Sequence, residues 1–206
     1  MGPATIVAVA AYLATSCAAT HHEADTTCDF SGLSLDNEVS RVIARLPEIQ
    51  GSRRQQDQPY APGLEIAGFT LKNLNKLRLY GPLFPYCING TRMLQVDFVN
   101  DGDIVLSLPW KVCSGHAGNF SLSASFSRFT AQFRILESSG DGVKLELLGR
   151  IVPVTTEGLR GVVGGAGSEV RLAFQILSAV FPSVVNEVWY WEFSIAFDRA
   201  LRKAIE

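Results

Sequence analysis

The chain has 206 residues, of which 47% are hydrophobic and 18% charged, and its mean hydropathy is +0.17. This composition excludes an intrinsically disordered protein, which combines low hydrophobicity with high net charge. The formal net charge is -2 and the isoelectric point about 5.9, so the chain lacks the basic footprint of nucleic-acid binders and we expect no nucleic-acid partner.

The first residues predict a secretory signal sequence. Residues 4–19 form an uncharged run of small apolar side chains, which is typical of a signal peptide and too short to span a bilayer. We therefore expect a signal peptide over residues 1–18 and a secreted, extracellular protein. Two N-glycosylation sequons, at Asn89 and Asn119, agree with that compartment.

The cysteines of the predicted mature chain are Cys28, Cys87 and Cys113. In an oxidising compartment, three cysteines suggest one disulfide and one further thiol. Residues 100–103 resemble a hairpin turn between two strands, which would bring residue 113 opposite about residue 90. We therefore predict a Cys87–Cys113 disulfide, with Cys28 either free or paired with another chain.

The N-terminal segment, residues 19–62, is predicted to contain a short helix and a polar linker. Apolar residues between positions 34 and 48 fall on one helical stripe, Ser34 is available as a cap, and Pro47 ends the pattern. Residues 51–63 are polar and rich in proline and glycine, which is typical of a linker. We expect this segment to fold together with residues 63–206 as one unit.

Between Gly63 and about Arg150 the hydrophobic period changes from 3.6 to 2, which predicts strands. The turns between them indicate an antiparallel meander with one solvated face. Over residues 120–135 the apolar row switches from even to odd positions, and this predicts a β-bulge that bends one long strand.

From Val170 to Ile205 the sequence is compatible with one long helix that is kinked at Pro182. Two apolar stripes cover most of its circumference, so we expect it to be buried, and its charged residues argue against a membrane span. The predicted fold class is α+β: a long C-terminal helix wrapped by a curved antiparallel β-sheet meander (a super-roll), with a short N-terminal helix.

We find no catalytic motif, so we predict no enzyme, no cofactor and no metal site. Ser114 and His116 are the residues on which a hydrolase would depend, but nothing in the sequence predicts turnover. After cleavage at Ala18 the N-terminus Ala19-Thr20-His21 would have the nitrogen ligands of a square-planar Cu(II) or Ni(II) site. A solvated tail is the plainer interpretation of those residues.

The apolar rows of the predicted strands and of the C-terminal helix suggest a ligand-binding cavity between them. A curved sheet around a long helix leaves room for an apolar ligand, and binding there would need no charged anchor because each buried methylene contributes about 0.8 kcal/mol. The predicted lining consists of side chains directed at the space between sheet and helix: Leu94, Val96, Phe98, Leu106, Leu108, Trp110, Phe120, Phe126, Phe133, Phe174, Leu177, Phe181, Val185 and Trp189.

The order of these parts resembles the group seven mite allergens, in the tubular lipid-binding superfamily that includes bactericidal/permeability-increasing protein, juvenile-hormone-binding proteins and takeout. The resemblance rests on residues 177–206, in the spacing of their aliphatic positions and the basic residues near their end, and on residues 68–74. It implies arthropod origin, secretion and apolar ligand binding, and it brings no catalytic residues.

The predicted function is therefore a secreted, non-enzymatic binder or carrier of an apolar small molecule, such as a fatty acid, lipid or lipopeptide. The alternative is a pocketless secreted interaction or immune-modulating protein that recognises a host or microbial surface. The sequence leaves the ligand and the oligomeric state open.

Overall fold

The structure is a computed structural model that describes residues 28–51, 58–61, 63–137 and 143–206. The predicted signal peptide and the Ala19-Thr20-His21 terminus lie outside the described residues. The helices are α1 (Leu35–Ala44), α2 (Ser168–Val180) and α3 (Pro182–Ile205), with a 3-10 turn at Leu74–Lys76. The strands are β1 (Ile49–Gly51), β2 (Gln58–Ala61), β3 (Leu64–Ile66), β4 (Thr70–Lys72), β5 (Arg78–Leu79), β6 (Phe84–Ile88), β7 (Thr91–Asn100), β8 (Val105–Val112), β9 (Ala117–Ser123), β10 (Phe126–Glu137), β11 (Val143–Glu157) and β12 (Arg160–Gly164).

The described strands form two curved antiparallel sheets, which confirms the predicted α+β class. In the first sheet, β8 pairs with β3 and β4 along one edge and with β9 along the other, and β9 pairs in turn with β12. In the second sheet the order is β11-β10-β7-β5, with β6 also on β7. The chain is therefore not the simple meander that we predicted.

The predicted hairpin at residues 100–103 is instead a crossing from the second sheet to the first. Oδ1 of Asn100 accepts hydrogen bonds from the backbone N–H groups of Gly102 and Ile104, at 3.1 and 3.2 Å, and so fixes a tight corner. The hairpin prediction was wrong because the same turn residues occur in hairpins and in corners between sheets. In a hairpin β8 would pair with β7, whereas here it pairs with β9 in the other sheet.

The register of β10 against β11 shifts between Arg128 and Phe129, which agrees with the predicted bulge. Residues 120–135 are nevertheless two strands and not one, and a second crossing of the same kind separates them. β9 ends at Ser123 in the first sheet, and β10 begins at Phe126 in the second. A third crossing joins β11 to β12 at Gly158, where the backbone N–H of Ser125 donates to the Gly158 carbonyl at 3.3 Å. The crossings are therefore hydrogen-bonded to one another, and they hold the two sheets together at one corner.

The disulfide joins Cys28 to Cys87, with 5.7 Å between their Cα atoms, and not Cys87 to Cys113 as predicted. Because β7 and β8 belong to different sheets, the residue opposite Cys87 on β7 is Arg92. Cys113 follows β8 in the first sheet, where it is an exposed free thiol. A disulfide is compatible with an extracellular protein.

The core is formed by α3 from Trp189 onward, which packs on the second sheet, on α1 and on inward residues of the first sheet such as Leu106 and Leu122. The Phe193 ring stacks on Phe129 with 4.1 Å between the ring centroids, and Phe197 meets Phe98 edge to face at 5.3 Å. Trp189, one turn before Phe193, is fully buried. The predicted helix at the N-terminus is confirmed as α1, which packs on α3 and β11.

The predicted long C-terminal helix is confirmed as α3, Pro182–Ile205, but it does not extend back to Val170, because residues 168–180 form the separate helix α2. Phe181 has φ -122° and ψ 60°, and Pro182 is the first residue of α3. A residue before proline is pushed out of the helical region, so Pro182 breaks the helix completely where we predicted a kink. Only the C-terminal part is buried, since Leu172, Ile176 and Val180 of α2 are each more than half exposed.

Among the described residues, no helix combines the length and the apolar character that a membrane span requires.

Candidate functional site

An apolar cavity lies beside the core, where the first sheet meets the start of α2. Its volume is about 530 Å³. Its walls come from three parts of the chain that are far apart in sequence: Leu64, Ile66, Leu108, Trp110, Val112, His116, Phe120, Val163, Gly165, Ala166, Gly167 and Val170. All of them are apolar or glycine except His116.

The strand β8 explains why this cavity exists. Its even-numbered residues face one side of the first sheet, as the period-2 pattern predicts. Leu106 is buried in the core, whereas Leu108, Trp110 and Val112 further along the same row are only half-buried. The apolar row therefore extends past the end of the core, and its outer part needs another cover.

That cover is α2, and Phe174 attaches it to the first sheet. The Phe174 ring meets Phe120 of β9 edge to face, with 4.9 Å between the centroids. It also lies on the bare backbone of Gly161, where a Cβ would come within 2.5 Å of its ring. Glycine at position 161 thus lets the helix approach β12 closely.

Two further glycines shape the cavity wall next to α2. Gly165 has φ +79°, a conformation that other residues rarely adopt, and a Cβ there would lie 2.3 Å from the Ala117 carbonyl oxygen. Gly118 lies under the Trp110 ring, and a Cβ at position 118 would come within 2.5 Å of that ring. The Trp110 indole can therefore lie flat against the sheet and form the floor of the cavity.

The polar groups at the cavity are few. Ser114 Oγ and His116 Nδ1 are 2.9 Å apart in the exposed loop after β8, and among the hydrogen bonds of the described residues none joins His116 to a carboxylate that would orient it for catalysis. The Nε1 of Trp110 is buried and has no hydrogen-bond partner within the described part of the chain. In the same part, no three His, Cys, Asp or Glu side chains meet as a metal site would require.

Only some of the predicted lining residues reach this cavity. Leu108, Trp110 and Phe120 line it. Others are packed solidly in the core, at 1% exposure or less, and line nothing: Leu94, Val96, Phe98, Leu106, Phe133 and Trp189. The prediction for them was wrong because the aromatic rings of α3, from Trp189 onward, fill the space between that helix and the sheets.

The remaining predicted lining residues lie elsewhere. Phe126 contacts Tyr80, with 6.4 Å between the ring centroids, and Phe181 is 52% exposed at the helix break. Phe174 holds α2 in place, and Val185 lines a smaller cavity between β12 and α3. The side chain of Leu177 lies outside the described part of the structure.

Several lining residues were not predicted. Leu64 and Ile66 alternate as strand residues do, and β3 lies end to end with β4 along one edge of β8, joined to it through residues 67–69. Val163 and Val170 flank a glycine-rich stretch that the sequence indicates only as a break. Long-range pairing placed these residues at the cavity, and a single sequence carries no signal for such pairing.

The two sequons differ in their surroundings. Asn89 lies at the exposed turn between β6 and β7 and has φ 47°. Asn119 lies inside β9, opposite Pro109 and Gly164, and its Nδ2 donates to the hydroxyls of Ser107 and Ser121 at 2.6 and 2.7 Å. The structure therefore favours Asn89 as a glycan acceptor and disfavours Asn119.

Comparisons with known proteins leave the family open. No model of a protein family matches the chain, and none of the curated proteins matches it either. The resemblance to the group seven mite allergens therefore stays a prediction.

Proposed function

We propose that this protein is a secreted, non-enzymatic binder or carrier of an apolar small molecule, such as a fatty acid, a lipid or the acyl part of a lipopeptide. The proposal rests on one observation: a cavity of about 530 Å³ whose walls are almost entirely aliphatic and aromatic. That volume lies in the usual range of ligand sites.

The size of the apolar wall makes binding energetically reasonable. An alkyl segment of eight methylenes, once buried, contributes on the order of 6 kcal/mol before the costs of association. Trp110 offers a broad apolar wall for such a chain. No reaction is required of any side chain in the cavity.

The predicted signal peptide and the Cys28–Cys87 disulfide support secretion. The predicted resemblance to the tubular lipid-binding superfamily supports the same ligand class. The proposed ligand site lies at the outer end of β8. It does not lie along α3, where the sequence predicted it, because the core fills that space.

The direct test is a titration with N-phenyl-1-naphthylamine, an uncharged apolar dye that fluoresces when it leaves water. Wild-type protein should bind the dye saturably, and Leu108→Trp, which adds bulk inside the cavity, should weaken binding at least tenfold. The matched control is Lys111→Trp, which places the same ring on the exposed, opposite side of β8.

Equal dye affinity in the Leu108→Trp and Lys111→Trp variants would refute the cavity as the site.

A second experiment identifies the natural ligand. Protein purified from its native host is extracted, and mass spectrometry of the extract should show a bound apolar molecule. Loss of hydrolytic turnover on changing Ser114 or His116 would instead support the hydrolase alternative.

One observation favours the second candidate function, recognition of a host or microbial surface. Leu172, Ile176 and Val180 form an exposed apolar stripe on α2, and such patches often mark interaction surfaces. Under this alternative, changing Leu172 and Ile176 to Glu would abolish binding to the partner surface and leave dye affinity unchanged.

A further inference from the structure

A second groove lies on the other side of α3, and it shares no lining residue with the apolar cavity. Its volume is about 690 Å³, and it lies between β11 and the outer face of α3. It extends from Ser183 to Arg199, which is about 24 Å along the helix at 1.5 Å per residue. A site of that length suits an extended molecule.

The middle of this groove is apolar. Tyr190, Trp191 and Ile195 of α3 face Ile151 and Pro153 of β11. Trp191 is 59% exposed, although its position in an apolar stripe predicted that it would be buried. A large indole exposed on a groove wall is a ready contact for an alkyl chain.

One end of the groove carries polar donors that lack partners. Nη1 of Arg199 and Oγ of Ser194 are both buried, and neither has a hydrogen-bond partner among the described residues. A buried donor without an acceptor is costly, more so when it is charged. Arg150 is exposed and lines the same groove, so two guanidinium groups border it.

The carboxylates of the groove do not neutralise this end. Asp198 is paired with Arg202, whose Nε lies 2.9 Å from the Asp198 Oδ2. Arg202 is itself fixed by donating to the Gly149 carbonyl at 2.7 Å. Glu187 lies twelve residues before Arg199, about 18 Å away along the helix. The end at Arg150 and Arg199 therefore has an excess of positive charge.

We propose that this groove binds a single-chain amphiphile with an anionic oxygen head group, carboxylate or phosphate. The head group accepts hydrogen bonds from Arg199, Arg150 and Ser194, and the alkyl chain lies along Tyr190 and Trp191. Guanidinium groups match the geometry of both anions, and hydrogen bonds between ions are about twice as strong as neutral ones. The proposal does not depend on the apolar cavity.

The test is calorimetric titration with dodecanoate and dodecyl phosphate below their micelle-forming concentrations, in the Leu108→Trp background that narrows the apolar cavity. Arg199→Gln should weaken binding of both ligands ten- to a hundredfold, or about 1.4–2.7 kcal/mol. The matched control is Lys203→Gln, which removes the same charge from an exposed residue outside the groove. It should change affinity less than twofold.

Three further arms separate head group, chain and folding. Dodecanol should bind Arg199→Gln as it binds the parent, because it has no anionic head. Acetate and inorganic phosphate should bind at least a hundredfold more weakly than the amphiphiles, because they have no chain. Arg150→Gln changes an exposed residue and so preserves the fold, and it should also weaken dodecanoate binding.

Equal weakening by Arg199→Gln and Lys203→Gln would overturn the proposal, because only net charge would then matter. So would unchanged dodecanoate affinity in both arginine variants, or free phosphate binding as tightly as dodecyl phosphate. Each of these three results could stand beside normal dye binding by wild-type protein, so failure here is distinguishable from failure of the proposed function.

Discussion

The contact between Gly161 and Phe174 gives the sharpest prediction about the cover of the apolar cavity. In Gly161→Ala the new Cβ would lie 2.5 and 2.6 Å from two carbons of the Phe174 ring and 3.2 Å from Leu122. Carbon atoms prefer to be about 3.5–4.0 Å apart. The ring must therefore shift by about 1 Å, and α2 must shift with it.

The expected cost follows from two opposing terms. Overpacking a well-packed site costs about 1–3 kcal/mol, whereas replacing glycine by alanine gains about 0.4–1 kcal/mol through the unfolded chain. Gly161→Ala should therefore lower the free energy of unfolding by about 1–2 kcal/mol. With a urea dependence of about 2 kcal/mol per molar, the middle of the usual range, the unfolding midpoint should fall by about 0.5–1 M.

Gly164→Ala is the matched control on the same strand. Its Cβ would meet only the Asn119 carbonyl oxygen, at an ordinary 3.6 Å, so its midpoint should stay the same or rise slightly. Urea unfolding followed by circular dichroism measures both variants, and dye titration should show weaker binding only for Gly161→Ala. Equal midpoints in the two variants would refute the packing described for α2.

Three further predictions concern the frame around the site. Cys87→Ser opens a disulfide between residues 59 apart and should lower the free energy of unfolding by about 4 kcal/mol through loop entropy. Cys113→Ser should change the free energy of unfolding by less than about 0.5 kcal/mol. Denaturant unfolding of both variants checks this. Asp97, buried, accepts hydrogen bonds from Arg128 and Thr130, so Asp97→Asn should destabilise the fold by about 1–3 kcal/mol in the same assay. Peptide mapping of protein secreted from a eukaryotic host should find glycan on Asn89 and none on Asn119.

The sequence predicted local structure well. The 3.6-residue stripe in residues 34–48 gave α1, and the period-2 rows gave the faces of β7, β8 and β10. Pro182 correctly marked an interruption in the C-terminal helix, although the structure has a full break there. These features depend on neighbours within a few residues, which periodicity and backbone chemistry describe directly.

The sequence could not predict which strands pair. The turn at Asn100 and the parity switch near Phe126 both have hairpin or bulge interpretations, and the structure uses both as crossings between sheets. The disulfide error follows from the first of these. The predicted lining along the C-terminal helix was wrong for a related reason, because Trp189 and its neighbours fill the core while Trp191, two residues later, is exposed.

The proposed function places an apolar ligand in the cavity between the end of β8 and the start of α2. Photolabelling with an uncharged alkyl diazirine, followed by peptide mapping, tests this most directly. Labels are expected in residues 64–66, 108–112 and 163–170, and dodecanol in excess should suppress them. Labelling confined to other segments, or labelling that excess dodecanol leaves unchanged, would contradict it.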